Sequence, residues 1–429
     1  MPFRSPAVFR ALRSRNYRLF FAGQGLSLIG TWMTQTAVIW LVYHLTNSAL
    51  MLGVVGFAQQ IPNFALSPFA GVLVDRWNRR HTLITTQVLS MLQSLLLTVL
   101  AFSGKIDIWH IIVLSVFQGC VNAVDMPTRQ SFVVELVEKR EDLGNAIALN
   151  SSIFNSARLV GPAIAGLLVA AVGTTACFAI DTVSYLAVLL GLLAMRLQPK
   201  AIPARAMQTG VIEQLREGIA YSFGFPPIRA ILLLIGLVSL VGMPYTVLAP
   251  IFATQFLKGG AETLGFLMAA SGLGALCSAL YLGSRQTVVG LGKIMAIAPA
   301  GFGIAIIIFS QSRMLWLSLL AMFLAGASLI LQSTSGNTIL QTIVDEDKRG
   351  RVMSLYSLAF ASMVTFGNLL AGSLASRIGA PNTLAIGGVL CIAGSLYFGQ
   401  QLPALRKIVI PIYTRLGIMQ SPHPYQPHP

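Results

Sequence analysis

Charge is scarce in this chain. Of its 429 residues only 10% are Asp, Glu, Lys or Arg, while 55% are hydrophobic and the mean hydropathy is +0.74. A soluble domain of this length needs far more charge on its surface. Acidic residues are the rarest charged class, 14 against 29 Lys and Arg, for a formal net charge of +15. Cysteine is limited to Cys120, Cys177, Cys277 and Cys391, all in or beside apolar runs and none in CxxC spacing. That pattern speaks against a disulfide framework or a thiolate metal site and reads as small core residues. No Gly-rich phosphate loop precedes a Lys-Ser/Thr pair, no HExxH occurs, and no polar stretch is long enough for a catalytic core. Enzymatic and ATP-driven activities are thereby excluded, and neither a metal nor an organic cofactor is expected. The basic residues are not interleaved with exposed aromatics, so no nucleic-acid partner is expected.

What the chain has is apolar length. Twelve runs lie near 19–43, 50–74, 82–103, 109–132, 144–171, 174–195, 230–256, 262–284, 289–310, 314–339, 352–376 and 381–402. Each is long enough for the roughly 20 residues of a membrane-spanning helix. The first lacks a small-residue cleavage site, so it reads as a retained span and not a signal peptide. The expected fold is an all-α membrane protein of two pseudo-symmetric six-helix bundles, 1–196 and 230–402. Residues 197–229 form a polar linker between them, in which Val211, Leu215 and Ile219 recur at four-residue spacing, as in an amphipathic helix along the membrane. Residues 403–429 form a Pro-rich tail.

Positive charge is unevenly shared between the two sides. Of the 29 Lys and Arg, the links on one side hold only Lys105, Lys258, Arg313 and Arg377, and Arg158 falls inside a run. The rest lie on the other side or at its helix ends. The positive-inside rule then places both termini in the cytoplasm. The halves also echo each other. Gly119–Asn150 aligns without gaps on Gly326–Ser357, and after a one-residue shift Gly161 and Gly166 match Gly367 and Gly372. Two such halves around a midplane site are the layout of secondary transporters.

Polar groups inside apolar helices are costly and need an explanation. Asp125 and Arg129 are four apart, hence on one helical face. They read either as a structural ion pair or as part of a gate in which Asp125 reaches Arg79 or Arg76. Arg158 lies near mid-bilayer on the fifth run and Asp181 at comparable depth on the sixth. Their pairing is expected, either for structure alone or with a part in proton transfer. Gly161 and Gly166 allow close helix approach, and Pro162 bends the run. Gln24, Gln35, Trp32 and Gln59 suit a wide cavity that stacks on a bulky ligand and hydrogen-bonds to it; helix–helix adhesion is the plainer reading. The spans of the second half hold no acidic residue, Glu262 standing at a helix start.

The stretch Gly71-Val72-Leu73-Val74-Asp75-Arg76-Trp77-Asn78-Arg79-Arg80 joins the second and third runs. Its G-x-x-x-D-R-x-x-R-R spacing resembles the loop motif of the major facilitator superfamily. Asn16-Tyr17-Arg18-Leu19-Phe20-Phe21, Gly30-Thr31-Trp32-Met33 and Trp40-Leu41-Val42-Tyr43 resemble the opening of the enterobactin-exporter and macrolide-efflux branch. Asp125-x-Pro127-x-Arg129-Gln130 is similar too, and Gly161-Pro162 with Gly166 resembles the antiporter motif. The fourth-span motif keeps Gln118-Gly119, with Ser115 where the family has an arginine. The resemblance implies proton-driven export of a siderophore or amphiphilic drug by alternating access. It implies a small amphiphilic substrate and the lipid bilayer as partners, a monomer, and a bacterial plasma-membrane location. Gly71, Asp75, Arg76, Arg79, Arg80, Asp125 and Arg129 would form the gate, with Arg158, Asp181 and Asp125 as proton or substrate groups. Lysophospholipid or other solute movement, and a membrane anchor for a biosynthetic complex, are the alternatives; an anchor has no need of Arg158 within a span.

Overall fold

The computed structural model describes residues 7–74, 77–137, 140–196, 211–285 and 287–418. Among these every regular element is helical. In order they are α1 (Arg15–Thr46), α2 (Ala49–Val74), α3 (Arg79–Phe102), α4 (Ile108–Leu136), α5 (Leu143–Val172), α6 (Thr174–Ala194), α7 (Val211–Gly224), α8 (Pro226–Val241), α9 (Tyr245–Ile251), α10 (Ala261–Ser284), α11 (Leu291–Gln311), α12 (Leu315–Ile343), α13 (Glu346–Ile378) and α14 (Ala380–Arg415). Twelve spans are long and apolar enough to cross a bilayer, with α8 and α9 sharing one. Helices are the form such runs must take, because lipid offers no partner for an unpaired backbone group.

Within the first six spans, α1 packs on α5 and α6, α2 on α4, and α3 on α4 and α6. Within the last six, α8 packs on α13 and α14, α10 on α12, and α11 on α12 and α14. Between the two sets, α2 meets α13 and α5 meets α10. The same turn recurs in both sets: Gly173 (φ 86°) ends α5 and Gly379 (φ 85°) ends α13. A left-handed φ at a helix end favours glycine at both places.

The seventh span and the last one depart from the expected runs. The seventh span begins at Pro226, and it is broken: α8 stops at Val241, and after Gly242, Met243 and Pro244 the chain resumes as α9 and a π-helical turn, Phe252–Phe256. Pro244 has no N–H to give Leu240 one turn earlier, which is why the helix opens there. The last helix runs on past residue 402, through Pro403 and Pro411, to Arg415. The four-residue apolar spacing within the linker does form a helix, α7. Its Glu217 pairs with Arg351 at 2.6 Å, and Lys348 sits 4.7 Å from the Tyr221 ring, so α7 packs against the start of α13.

Candidate functional site

The link between α2 and α3 is short, and its described arginines hold three helix ends together. Gly71 lies in the last turn of α2. Asp75 and Arg76 lie outside the described residues, as does any cap that Asp75 makes. The observed cap of α3 is Asn78, whose side chain accepts from His81 N at 3.2 Å. Arg79 forms an ion pair with Glu135 at the end of α4. Arg80 donates from Nε to Leu192 O (3.0 Å) and from Nη2 to Leu193 O (3.1 Å), at the end of α6. A guanidinium there satisfies carbonyls that have no partner within the helix and complements the negative end of its dipole.

Arg79 is therefore not the partner of Asp125. Asp125, 4% exposed, accepts from three groups: Arg129 Nη2 at 2.7 Å, Thr86 Oγ1 at 2.7 Å and Gln87 Nε2 at 2.9 Å. The carboxylate ties α4 to α3 about two to three helical turns deeper than the Arg79–Glu135 pair. Removing it strands a half-buried guanidinium, a hydroxyl and an amide together. Asp125→Ala should lower the unfolding free energy by about 3–5 kcal/mol, the usual loss when one partner of a buried ion pair is removed. Asp125→Ala with Arg129→Ala should lose less than the two single variants summed, measured by thermal unfolding in detergent.

Asp181 and Arg158 are not paired either. Asp181, 1% exposed, accepts from Ser94 Oγ at 3.2 Å and lies beside Ser184. It is pressed against α1, where a Cβ added at Gly30 would fall 2.6 Å from Asp181 Oδ1. Arg158 lies on the other side of α1. Its guanidinium sits 5.8 Å from the Trp32 ring centroid, and Trp32 meets Phe154 edge-on at 5.9 Å. Gly30 and Trp32 are two residues apart, hence about 200° apart around the helix. The helix itself separates the two charges, although their depths agree. No ion pair reaches Arg158 among the described residues.

The structure thus brings Trp32, Phe154, Arg158 and Gly161 together where α1, α5 and α10 meet. A Cβ at Gly161 would fall 2.6 Å from Trp32 Cβ. The backbone beside Arg158 touches α10: a Cβ at Gly272 would fall 2.8 Å from Leu159 Cα and 3.1 Å from Arg158 O. Next to Gly272, Ser271 shares a 2.8 Å hydrogen bond with Tyr245. Pro162, buried, lies within α5 at this level and has no N–H to give the Arg158 carbonyl one turn earlier. Gln24 is buried in α1, and Gln35 and Gln59 are half-buried in α1 and α2; they do not join this cluster through any described hydrogen bond.

The spans meet across the halves through glycines. A Cβ at Gly166 would lie 2.7 Å from Ala261 O and 2.8 Å from Gly265 Cα. In the matching place, a Cβ at Gly372 would lie 2.7 Å from Gly53 Cα and 2.8 Å from Ala49 O. Gly161 packs on α1, and its repeat mate Gly367 packs on the Leu240 carbonyl that Pro244 leaves free. Tyr43 and Gln255 add a 2.8 Å hydrogen bond from α1 to the seventh span. These approaches lie toward the ends of the spans remote from the chain termini.

Sequence reasoning missed Glu135, Thr86, Gln87, Ser94 and the break in the seventh span. Glu135 could have been found by level: it ends α4 where α3 begins, on the same side. The neutral donors carry no such signal, since Ser, Thr and Gln are scattered through every span.

The comparisons with known proteins agree with this architecture. The profile of the family described as transmembrane secretion effector matches residues 6–410. The chain is 27% identical over 388 residues to the staphyloferrin A transporter of Staphylococcus aureus, covering 89% of this chain and 95% of that one. It is 24% identical over 389 residues to macrolide efflux protein A of Streptococcus pyogenes, covering 88% and 95%. Among solved structures, the nucleoside transporter NupG matches with a TM-score of 0.70 at 11% identity, covering 90% of this chain and 99% of that one. The fold and the relatives are those of transporters and not enzymes. The chain is a multi-pass membrane transporter and belongs to the transmembrane secretion effector family of the major facilitator superfamily.

Proposed function

We propose that the protein is a proton-driven exporter of a siderophore or amphiphilic, drug-like molecule. Its two six-span halves alternate access to a midplane site, and the chain works as a monomer with both termini in the cytoplasm. The observation that carries this reading is Arg158. It is a half-buried cation without an ion-pair partner among the described residues, over the Trp32 ring beside Phe154, where α5 meets α1 and α10. A guanidinium over an aromatic face, with a second aromatic edge-on to that ring, suits an amphiphile with an acidic group and an apolar body. The staphyloferrin A and macrolide relatives support the substrate class, and the efflux protein among them supports the outward direction. The crowding of Lys and Arg on one side supports the orientation.

The proton gradient is the proposed energy source and no bound cofactor is required. Asp125 and Asp181, both buried, are the proposed proton groups, and Gln24, Gln35 and Gln59 the neutral contacts around the substrate path. The test is export from energised cells or proteoliposomes, with a protonophore added while ATP is maintained. Export should stop. Undiminished export would overturn proton coupling. Arg158→Gln should in addition lower transport of a carboxylate siderophore at least tenfold and that of an uncharged macrolide far less; equal losses would remove Arg158 as the reader of substrate charge.

A further inference from the structure

A second cleft lies away from the α1–α5–α10 cluster. It opens among the first turns of α8 and α11 and the latter part of α14, at the end of the helices nearest the termini, with a volume of about 370 Å³. Its wall is apolar, from Phe398 at depth through Leu402 and Leu405 to Val409 and Tyr413. Two cations, Lys293 of α11 and Arg406 of α14, stand in this lining, and no carboxylate does. Lys293 is exposed and Arg406 half-buried, and neither has a hydrogen-bond or ion-pair partner among the described residues. Of the other cations on the same side, some are engaged, Arg79 by Glu135, Arg129 by Asp125, Arg351 by Glu217 and Arg80 by carbonyls, while exposed Arg229 and Arg415, outside the cleft, have no side-chain partner among the described residues.

We infer that this cleft binds an anionic phospholipid, one acyl chain along the Phe398–Leu405 wall and the phosphate between Lys293 and Arg406. The occupant follows from the lining. An apolar trough running from Phe398 to Leu405 takes a hydrocarbon chain, and Lys293 and Arg406, without partners among the described residues, stand beside its Leu405 end. A neutral amphiphile leaves those cations without a counter-charge, and a free phosphate leaves the trough empty. Charge sits toward the membrane surface: a Cβ at Gly292 falls 3.2 Å from Leu402 Cδ1, which puts Lys293 and Arg406 within about one and a half helical turns of each other in depth, a gap their long side chains can span. Basic clefts between spans at the membrane surface are a recurrent means of holding acidic lipid headgroups. The helix extension that carries Arg406 is also the part of α14 that runs beyond the expected span. It continues to Arg415 because Leu405 and Tyr413 are buried against the core. A lipid in this cleft would therefore fasten α14 to α8 and α11 within one half, and would bias the equilibrium between the two access states without touching the substrate.

The test uses the purified full-length protein in neutral detergent, with native mass spectrometry and thermal unfolding as readouts. The probes are phosphatidylglycerol, phosphatidylcholine with the same acyl chains, and glycerol 3-phosphate. Phosphatidylglycerol should bind one per protein and raise the melting temperature; the other two should do neither. Lys293→Gln and Arg406→Gln should each weaken phosphatidylglycerol about fivefold, the attraction one basic residue has for an acidic membrane. The double variant should weaken it by about the product, whereas Lys407→Gln, an exposed neighbour outside the lining, should leave it unchanged. Equal binding of phosphatidylcholine would overturn the headgroup, and binding of glycerol 3-phosphate alone would overturn the lipid. Undiminished phosphatidylglycerol binding by both single variants would overturn the site. Should the double variant unfold, the single variants, each changing a side chain without partners, still decide the matter.

Discussion

Gly166→Val is expected to abolish transport while the protein still inserts and is recovered in normal amount. The reason is local and geometric. A Cβ at Gly166 would fall 2.7 Å from Ala261 O and 2.8 Å from Gly265 Cα. Both obstacles are backbone, so no rotamer change relieves them. Lipid supplies no hydrophobic drive between helices, and close backbone packing is what draws them together. A branched side chain at Gly166 must push α5 away from α10, with an overpacking cost of about 1–3 kcal/mol. That cost falls only on the state in which the halves meet, so the equilibrium shifts toward the state in which they part. Gly372→Val should do the same to α13 and α2, where Gly53 Cα lies 2.7 Å from the added atom. Gly283→Ala is the control, since a Cβ there meets nothing within 4 Å. Transport should fall to background in both valine variants. A thiol reagent should label cysteines placed between α5 and α10 faster than in the parent. Wild-type transport at equal expression in Gly166→Val would remove these contacts from the transport cycle.

The paired behaviour of Gly166 and Gly372 was written in the sequence, and so was much of the fold. Twelve apolar runs announce twelve spans because length and hydropathy suffice for that inference. The repeat that matches Gly161 and Gly166 with Gly367 and Gly372 predicts that their contacts match as well. They do: Gly161 meets α1 where Gly367 meets α8, and Gly166 meets α10 where Gly372 meets α2. What the sequence hides is rotation about a helix axis. Depth can be counted at 1.5 Å per residue, and on depth alone Arg158 and Asp181 are neighbours. Which way each side chain faces depends on how α5 and α6 are turned against α1, and that is fixed by packing many residues away. The same blindness left Arg79 standing as one candidate partner of Asp125, beside Arg129 and Arg76. Arg79 sits at the first turn of α3 and Asp125 lies deeper on α4, so the carboxylate at its own level, Glu135, is the one it meets. The break in the seventh span was legible: Gly242 and Pro244 flank one residue in mid-run. A twelve-run count passes over it, because hydropathy does not fall there.

The separation of Arg158 from Asp181 sharpens what Asp181→Asn should do. The carboxyl is 1% exposed and held by hydroxyls, with Ser94 Oγ 3.2 Å away and Ser184 beside it. A hydroxyl can donate to a carboxylate or accept from a carboxylic acid, so this site can hold either protonation state without moving a partner. An arginine partner would have fixed the charged form. Asparagine matches the carboxyl in size and still offers an oxygen to Ser94, so the packing of α1, α3 and α6 should survive. It cannot take up or release a proton. Asp181→Asn should therefore retain substrate counterflow, which needs no net proton movement, and lose transport driven by a pH gradient, by tenfold or more. Arg158→Gln should behave oppositely. It removes a charge from the proposed substrate path and leaves Asp181 untouched on the far side of α1, so counterflow of an acidic substrate should fall together with driven transport. Loss of both activities in Asp181→Asn would make the residue structural or substrate-binding. Retention of both would move the proton to Asp125, the other buried carboxyl among the described residues, whose bonds to Arg129, Thr86 and Gln87 would then have to rearrange in each cycle.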